Sequence, residues 1–285
     1  MLISKVELEN LLKDSVVVKE YPNSGQKKVF LVKKKNSDLE VVKIVKYGDE
    51  RVLREVEIVT QNQIPNVPNI IEVQDFTCSN GEKYIYIIEQ YIEGETLQDR
   101  LNSGKLSVLE GIKLLKTLLD ISVILEDIKT VHRDIKPSNI ICGNDGNYYL
   151  IDFGIARQLD KTSLTFTKAA IGPHTPGYGA PELFQYSKKD IDIRSDLFSI
   201  GVVLFEALTG EHPFLTGDEM NLNEIWYRTK TVVPKDYMID GDKNKQLISF
   251  IQTLMQKHIT RRPPTAKKAM EWFEAVLHTL ELGEE

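Results

Sequence analysis

The stretch Val131 to Gly154, VHRDIKPSNIICGNDGNYYLIDFG, constrains the fold of this chain more than any other. Asp145-Gly146 is a strong two-residue turn signal, because Gly accepts positive φ and Asp tolerates it. Ile140-Ile141-Cys142 before it and Tyr148-Tyr149-Leu150-Ile151 after it both favour strand. An antiparallel hairpin about this turn pairs 144 with 147, 141 with 150 and 139 with 152. Asn139 and Asp152 are then expected to meet at its open end. An amide oxygen beside a carboxylate suits a hard cation such as Mg²⁺, which takes oxygen ligands and keeps water or phosphate in its other positions. His132, Arg133, Asp134 and Lys136 arrive in the loop just before. The alternative is an ordinary surface hairpin with polar flanks, which does not explain why these groups gather at one end.

Length and composition set outer bounds. A chain of 285 residues suits one large domain or two closely packed ones. The net charge of −6 argues against broad nucleic-acid binding, which needs a basic face. No apolar run is long enough for a transmembrane helix, so no membrane role is expected. The start, MLISKVELENLLKD, carries charges throughout and lacks the apolar core of a secretory signal. Cys78 and Cys142 stand at unrelated spots, so neither a disulfide framework nor a zinc site is expected, and a cytoplasmic location is the default.

In chain order, residues 1–14 read as a short helix or arm that packs on the body. From Ser15, the run VVVKEYPNSGQKKVFLVKKKNSDLEVVKIVK reads as three strands, broken at Pro22–Gly25 and at Asn36–Asp38. Residues 49–62 read as a helix with Asp49 as N-cap and Val52, Val56 and Val59 as its apolar stripe. Glu55 falls on that stripe. Either it pairs with a cation, for which Lys43 is the natural candidate, or it reaches solvent at the boundary. Two strands follow, Ile70–Phe76 and Tyr84–Tyr91, about a Ser79-Asn80-Gly81 turn.

From Leu106 the pattern turns helical. Ser107 with Glu110 makes a capping-box signal, and Val108, Ile112, Leu115, Leu119 and Val123 form a long apolar face. The polar segment Ile155 to Pro181 is long enough to be functional. Residues 196–210 read as a buried helix ending at Gly210, and two more helices are expected around 243–257 and 266–282.

These residues resemble the eukaryotic-type serine/threonine protein kinase family over roughly residues 15 to 280. His132-Arg133-Asp134-Ile135-Lys136-Pro137-Ser138-Asn139 is similar to the catalytic loop, Asp152-Phe153-Gly154 to the metal-binding triplet, and Ala180-Pro181-Glu182 to the end of the activation segment. Val41-Val42-Lys43-Ile44 is similar to the strand that bears the ATP-binding lysine, with Glu55 as its helix partner. Asp196 resembles the helix residue that braces the catalytic loop, and Arg262 the arginine that pairs with Glu182. The fold implied is α+β and bilobal: a β-rich N-lobe with one main helix over 15–89, a hinge at 90–97, and a helical C-lobe over 98–285.

The resemblance implies transfer of the ATP γ-phosphoryl group to a protein Ser or Thr hydroxyl. Asp134, Lys136 and Thr175 are its catalytic residues, Asn139 and Asp152 the Mg²⁺ ligands, and Gly25, Val29, Lys43, Glu55, Gln90 and Ile92 the ATP-binding set. Partners are then ATP and a protein substrate, with a dimer possible for autophosphorylation. Arg133 before the catalytic Asp implies switching by phosphorylation at Thr162, Ser163, Thr165 or Thr167.

The chain departs from the family in three places. Pro22, Ser24 and Lys27 stand where phosphate-loop glycines are usual, leaving Gly25 alone, with Lys27 or Lys28 as compensating charge. This leaves a nucleotide-binding pseudokinase or scaffold as the alternative function. Glu89 falls beside the hinge at a buried position, so either it is a second partner for Lys43 or the alignment is one residue off. Gly172-Pro173-His174 inserts two residues before Thr175.

Overall fold

The computed structural model describes residues 3–22, 27–48, 50–153, 157–158, 175–185 and 191–282, without the side chains at 50–52, 54–55, 157–158 and 185. Gly25, Asp49, the Glu55 side chain, the four candidate phosphorylation sites and the 172–174 insertion therefore lie outside the described residues. The chain divides into two compact units, Met1–Glu93 and Gly94–Glu285.

The first unit opens with α1 (Lys5–Leu11) and continues through β1 (Ser15–Glu20), β2 (Lys27–Lys34), β3 (Leu39–Lys46), α2 (Glu50–Asn62), β4 (Ile70–Thr77) and β5 (Lys83–Gln90). The strands form one antiparallel sheet in the order β1-β2-β3-β5-β4. Side chains alternate across its two faces. Phe30, Val32, Val42, Ile44, Tyr84, Tyr86 and Ile88 line one face, which is closed by Ile3 and Leu8 from the α1 end. Val45, Ile85 and Ile87 line the other, packed with Val56 of α2.

Local chemistry fixes α1 over its face. Ser4 and Glu7 form a capping box, the Val17 N–H donates to Glu9 Oε1 at 2.9 Å, and Ser79 Oγ donates to Glu7 Oε1 at 2.5 Å. Among the described side chains of α2, Ile58 and Val59 are buried and Val56 is half-buried, so the apolar face includes Ile58, which the expected stripe of Val52, Val56 and Val59 omits; Val52 lies outside the described side chains.

The second unit runs β6 (Gly94–Thr96), α3 (Leu97–Asn102), α4 (Val108–Asp127), β7 (Thr130–Val131), β8 (Ile140–Gly143), β9 (Tyr148–Leu150), β10 (Arg157–Gln158), α5 (Pro181–Gln185), α6 (Ile193–Thr209), α7 (Leu222–Thr231), α8 (Gln246–Leu254) and α9 (Ala266–Leu277). Its core is α6, apolar almost all round and buried between α4 and α8, as such a helix must be. A Cβ on Gly201 would lie 2.6 Å from Met255 and 2.9 Å from Leu254, so glycine there permits the close approach of α8.

Gly210 ends α6 in the left-handed conformation, φ 77°. The expected boundary at 196 is three residues late, because Asp192 caps the helix by accepting from the Arg194 N–H. The expected 243–257 and 266–282 helices are shorter, and α7 forms where the sequence reading places no element. Its signal was present: Asn221 accepts from the Glu224 N–H, and Glu224 from the Met220 N–H.

In α4 the capping box forms as the sequence implies. Leu115 and Leu119 are buried, but Val108, Ile112 and Val123 are half-buried. Gly111, Leu114, Leu118 and Leu125 carry the core instead, because α4 packs against both α6 and α9 and its buried arc is wider than one stripe.

The β8–β9 hairpin differs from expectation by one residue. The pairs are Ile140 with Leu150, Ile141 with Tyr149 and Cys142 with Tyr148. The turn spans three residues, Asn144 to Gly146, between Gly143 N–H and the Asn147 carbonyl at 2.8 Å. Asp145 sets this geometry: its carboxylate accepts from the Asn147 N–H at 3.0 Å and from the Tyr149 hydroxyl at 2.7 Å. Gly146 then takes the third position with φ 77°. Asn139 consequently faces Ile151, whose N–H donates to the Asn139 carbonyl at 2.9 Å, and Asp152 is the next residue along.

Candidate active site

The loop after β7 is anchored before it does anything else. The His132 and Arg133 N–H groups donate to Asp196 Oδ2 and Oδ1 at 2.7 and 2.8 Å. Asp196 sits in the first turn of α6 and is fully buried. Burial pushes its carboxyl up to about 7, against the pull of those two N–H bonds and of the Arg133 charge. Arg133 holds φ at 68°, a conformation that costs about 1–3 kcal/mol in a non-glycine residue and persists only where its surroundings impose it. His132 is buried, accepts from the Asp134 N–H at Nδ1 (3.2 Å), and stands edge-on to Phe153 at 4.6 Å. It packs.

Anchoring the loop this way presents Asp134 to three partners. Thr175 Oγ1 donates to Asp134 Oδ1 at 2.5 Å. Asn139 Nδ2 donates to Asp134 Oδ2 and to its carbonyl, each at 2.9 Å. Lys136 Nζ lies 2.9 Å from Asp134 Oδ2 and donates to Thr175 Oγ1 at 2.8 Å. The Asp134 side chain is 13% exposed and that of Lys136 22%, so each is fixed yet reachable. Because its amide nitrogen is turned to Asp134, Asn139 directs its oxygen away from it. Asp152 is half-buried with φ 67°, next to buried Phe153.

Thr175 is itself held from behind. Its carbonyl accepts from the Gly179 N–H at 3.1 Å. Tyr178 donates its hydroxyl to Glu206 at 2.7 Å, and the Ser199 hydroxyl donates to the Tyr178 carbonyl at 2.9 Å. Burial raises both the Glu206 carboxyl and the Tyr178 phenol above their usual ranges. No sequence signal links Tyr178 to Glu206, because each is an unremarkable residue on its own segment.

In the first unit, Lys43 on β3 lies across from Ile87, and Val41 across from Glu89. Lys43 and Glu89 are therefore diagonal neighbours on one face, within reach of long side chains. Lys43 Nζ lies 2.7 Å from Glu89 Oε1. Val29 pairs with Lys43 across the sheet. Gln90 is exposed, its Oε1 accepting at 3.3 Å from Nδ2 of Asn69, the residue just before β4, and Ile92 lies beyond the sheet, half-buried.

Lys28 is not available as a compensating charge on the Lys43 face. Alternation along β2 turns it to the α1 face, where it pairs with Glu20 at 2.9 Å and donates to the Ile3 carbonyl at 3.1 Å. By the same alternation Lys27 shares the face of Val29 and Lys43.

Among the described residues no three His, Cys, Asp or Glu side chains gather to hold a metal. Asn139 and Asp152 supply oxygen atoms only. That donor set fits Mg²⁺, which is held by one or two carboxylates plus phosphate and water in place of a full protein cage.

Comparison with known proteins agrees with this geometry. The protein kinase domain family matches residues 14–273. The probable serine/threonine-protein kinase PknB of Bifidobacterium longum is 37% identical over 196 residues, 67% of this chain and 28% of that protein. CBL-interacting protein kinase 21 of Oryza sativa subsp. japonica is 32% identical over 236 residues, 79% of this chain and 41% of that protein. Serine/threonine-protein kinase PrkC of Bacillus subtilis is 34% identical over 148 residues, 52% of this chain and 22% of that protein. The chain spans less than half the length of these curated relatives. A family match over most of the sequence, on a chain whose Asp134 is shared by Lys136, Asn139 and Thr175, means that this chain belongs to the protein kinase family.

Proposed function

We propose that this chain is a serine/threonine protein kinase. The observation that carries the reading is the Asp134 carboxylate, fixed between Lys136, Asn139 and Thr175. ATP with Mg²⁺ supplies the phosphoryl group and the charge neutralisation that its loose transition state requires. Asp134 accepts the proton of the substrate hydroxyl. Lys136 neutralises charge on the transferred group, and Thr175 holds both in register. Asn139 and Asp152 are the oxygen ligands for Mg²⁺, and Lys43 is the cation for the nucleotide phosphates. Val29, Gln90 and Ile92 belong to the nucleotide's surroundings.

The relatives named serine/threonine-protein kinases support Ser and Thr as acceptors. Cys78 and Cys142 are free thiols, which suits the reducing cytoplasm. Phosphorylation between 162 and 167, with two copies acting on one another, is the regulation that fits Arg133. A second reading, a nucleotide-binding scaffold, is favoured by one observation only: Gly25 is the sole glycine between Pro22 and Lys28.

The test is incubation with Mg-ATP and a generic basic protein, beside Asp134→Asn. Phosphoserine or phosphothreonine that disappears in the variant is expected. Transfer that is absent, unchanged in the variant, or confined to tyrosine would sink the reading.

A further inference from the structure

Lys43 and Glu89 bury opposite charges in the middle of a sheet. Each residue is less than a tenth exposed, and the ammonium and carboxylate are 2.7 Å apart. Their neighbours on that face, Val45, Ile85 and Ile87, are apolar. Each side chain keeps only 10% of its surface exposed, so solvent screens the pair weakly and the carboxylate's field on the ammonium is strong. Strand register holds Glu89 in place on both sides, opposite Val41 of β3 and Ile70 of β4. The register keeps the Glu89 side chain on the Lys43 face, so the carboxylate leaves the ammonium only by changing rotamer among apolar neighbours.

We infer that Glu89 is a positioning residue that holds the Lys43 ammonium and competes for it with the phosphates of the nucleotide. The inference rests on the reading of Lys43 as the phosphate-binding cation. An arriving polyanion must share an ammonium that already has a fixed anion beside it. Nucleotide affinity is thereby set lower than the lysine alone would give, and the effect is confined to ligands that carry phosphates. A neutral side chain of the same length at 89 keeps the packing and removes the competitor.

The test compares Glu89→Gln with the unchanged chain, reading the affinity of AMP-PNP with Mg²⁺ and of adenosine by calorimetry. Thermal unfolding confirms that the variant is folded. The expected result is AMP-PNP bound about fivefold to tenfold more tightly, with adenosine unchanged. Should Glu89→Gln not fold, Glu89→Met, neutral and of similar length, is read in the same way. A ratio of AMP-PNP to adenosine affinity that stays constant or falls in the folded variant overturns the inference. Lys43→Met is the control. If it weakens AMP-PNP, the phosphate reading of Lys43 stands independently of Glu89. If its ratio is unchanged, that reading fails and the inference with it.

Discussion

Arg262 and Glu182, 80 residues apart in the chain, meet through two parallel hydrogen bonds, Nη1 to Oε1 at 2.6 Å and Nη2 to Oε2 at 3.0 Å. The Arg262 side chain is fully buried, and its other donors reach the Arg194 carbonyl at 2.9 Å and the Gln256 carbonyl at 2.8 Å. Ser195 Oγ adds a bond to Glu182 Oε1 at 2.8 Å. This cluster ties the segment after Thr175 to α6 and to the turn before α9. Removing one partner of such a pair leaves a buried charge uncompensated.

Arg262→Met is therefore expected to lower stability by about 3–5 kcal/mol, and Arg262→Lys to recover little of it, since a lysine cannot make the two-point contact. Urea unfolding measures both. A loss below about 1 kcal/mol in Arg262→Met would show that the cluster is not holding the segment.

Thr175 links Lys136 to Asp134 through one hydroxyl, which accepts from the first and donates to the second. Thr175→Val keeps the shape and removes both bonds, so kcat is expected to fall by about 10²-fold with little change in unfolding temperature. Thr175→Ser restores the hydroxyl and is expected to keep most of the rate. Equal rates for Val and Ser would rule out the bridging role.

His212 offers a pH-dependent test of stability. Its Nδ1 accepts from the Phe214 and Leu215 N–H groups at 3.2 and 3.1 Å, which requires the neutral ring. Burial lowers its pKa from 6.5 to about 4. The unfolded chain therefore binds the proton more readily than the folded one between about pH 4 and 6.5, and stability rises with pH across that window. Acidification from pH 7 to 4 should cost up to about 3 kcal/mol through this one group. His212→Asn, whose side-chain oxygen can accept the same N–H groups, should flatten the dependence. Parallel pH profiles for the two proteins would refute the assignment.

Leu8 is completely buried against the sheet face that carries Phe30, Val42 and Ile44. Leu8→Ala is expected to cost about 2–5 kcal/mol in denaturant unfolding. Val6, on the same helix but 65% exposed, serves as the comparison, and Val6→Ala is expected to cost well under 1 kcal/mol. Similar costs at the two positions would mean that α1 is not docked as described.

Much of this protein is legible before folding. Strand and helix placement follows from patterning, and the order of the motifs from His132 to Glu182 identifies the family. The errors fall where a local pattern allows two geometries. Asp145-Gly146 marks the turn correctly, but the choice between a two- and a three-residue loop was made by Asp145 bonding to Asn147 and Tyr149. One residue of register then moved Asn139 from Asp152 to Ile151. In α4, the stripe reading assumes one packing partner, and the helix packs against both α6 and α9 as well as β7 and β9.

What the sequence determined by itself is local and periodic: where strands and helices begin, which caps close them, and which polar residues cluster in one loop. The family resemblance also pairs Arg262 with Glu182 and groups Thr175 with Asp134 and Lys136, and both contacts form. Tertiary structure alone joined Tyr178 to Glu206, placed Asn139 opposite Ile151, and chose the Lys43 partner from the two readings open for Glu89. The reason is physical. Propensity and periodicity act over a few residues, whereas a buried ion pair depends on strand register and helix packing that bring together residues many positions apart.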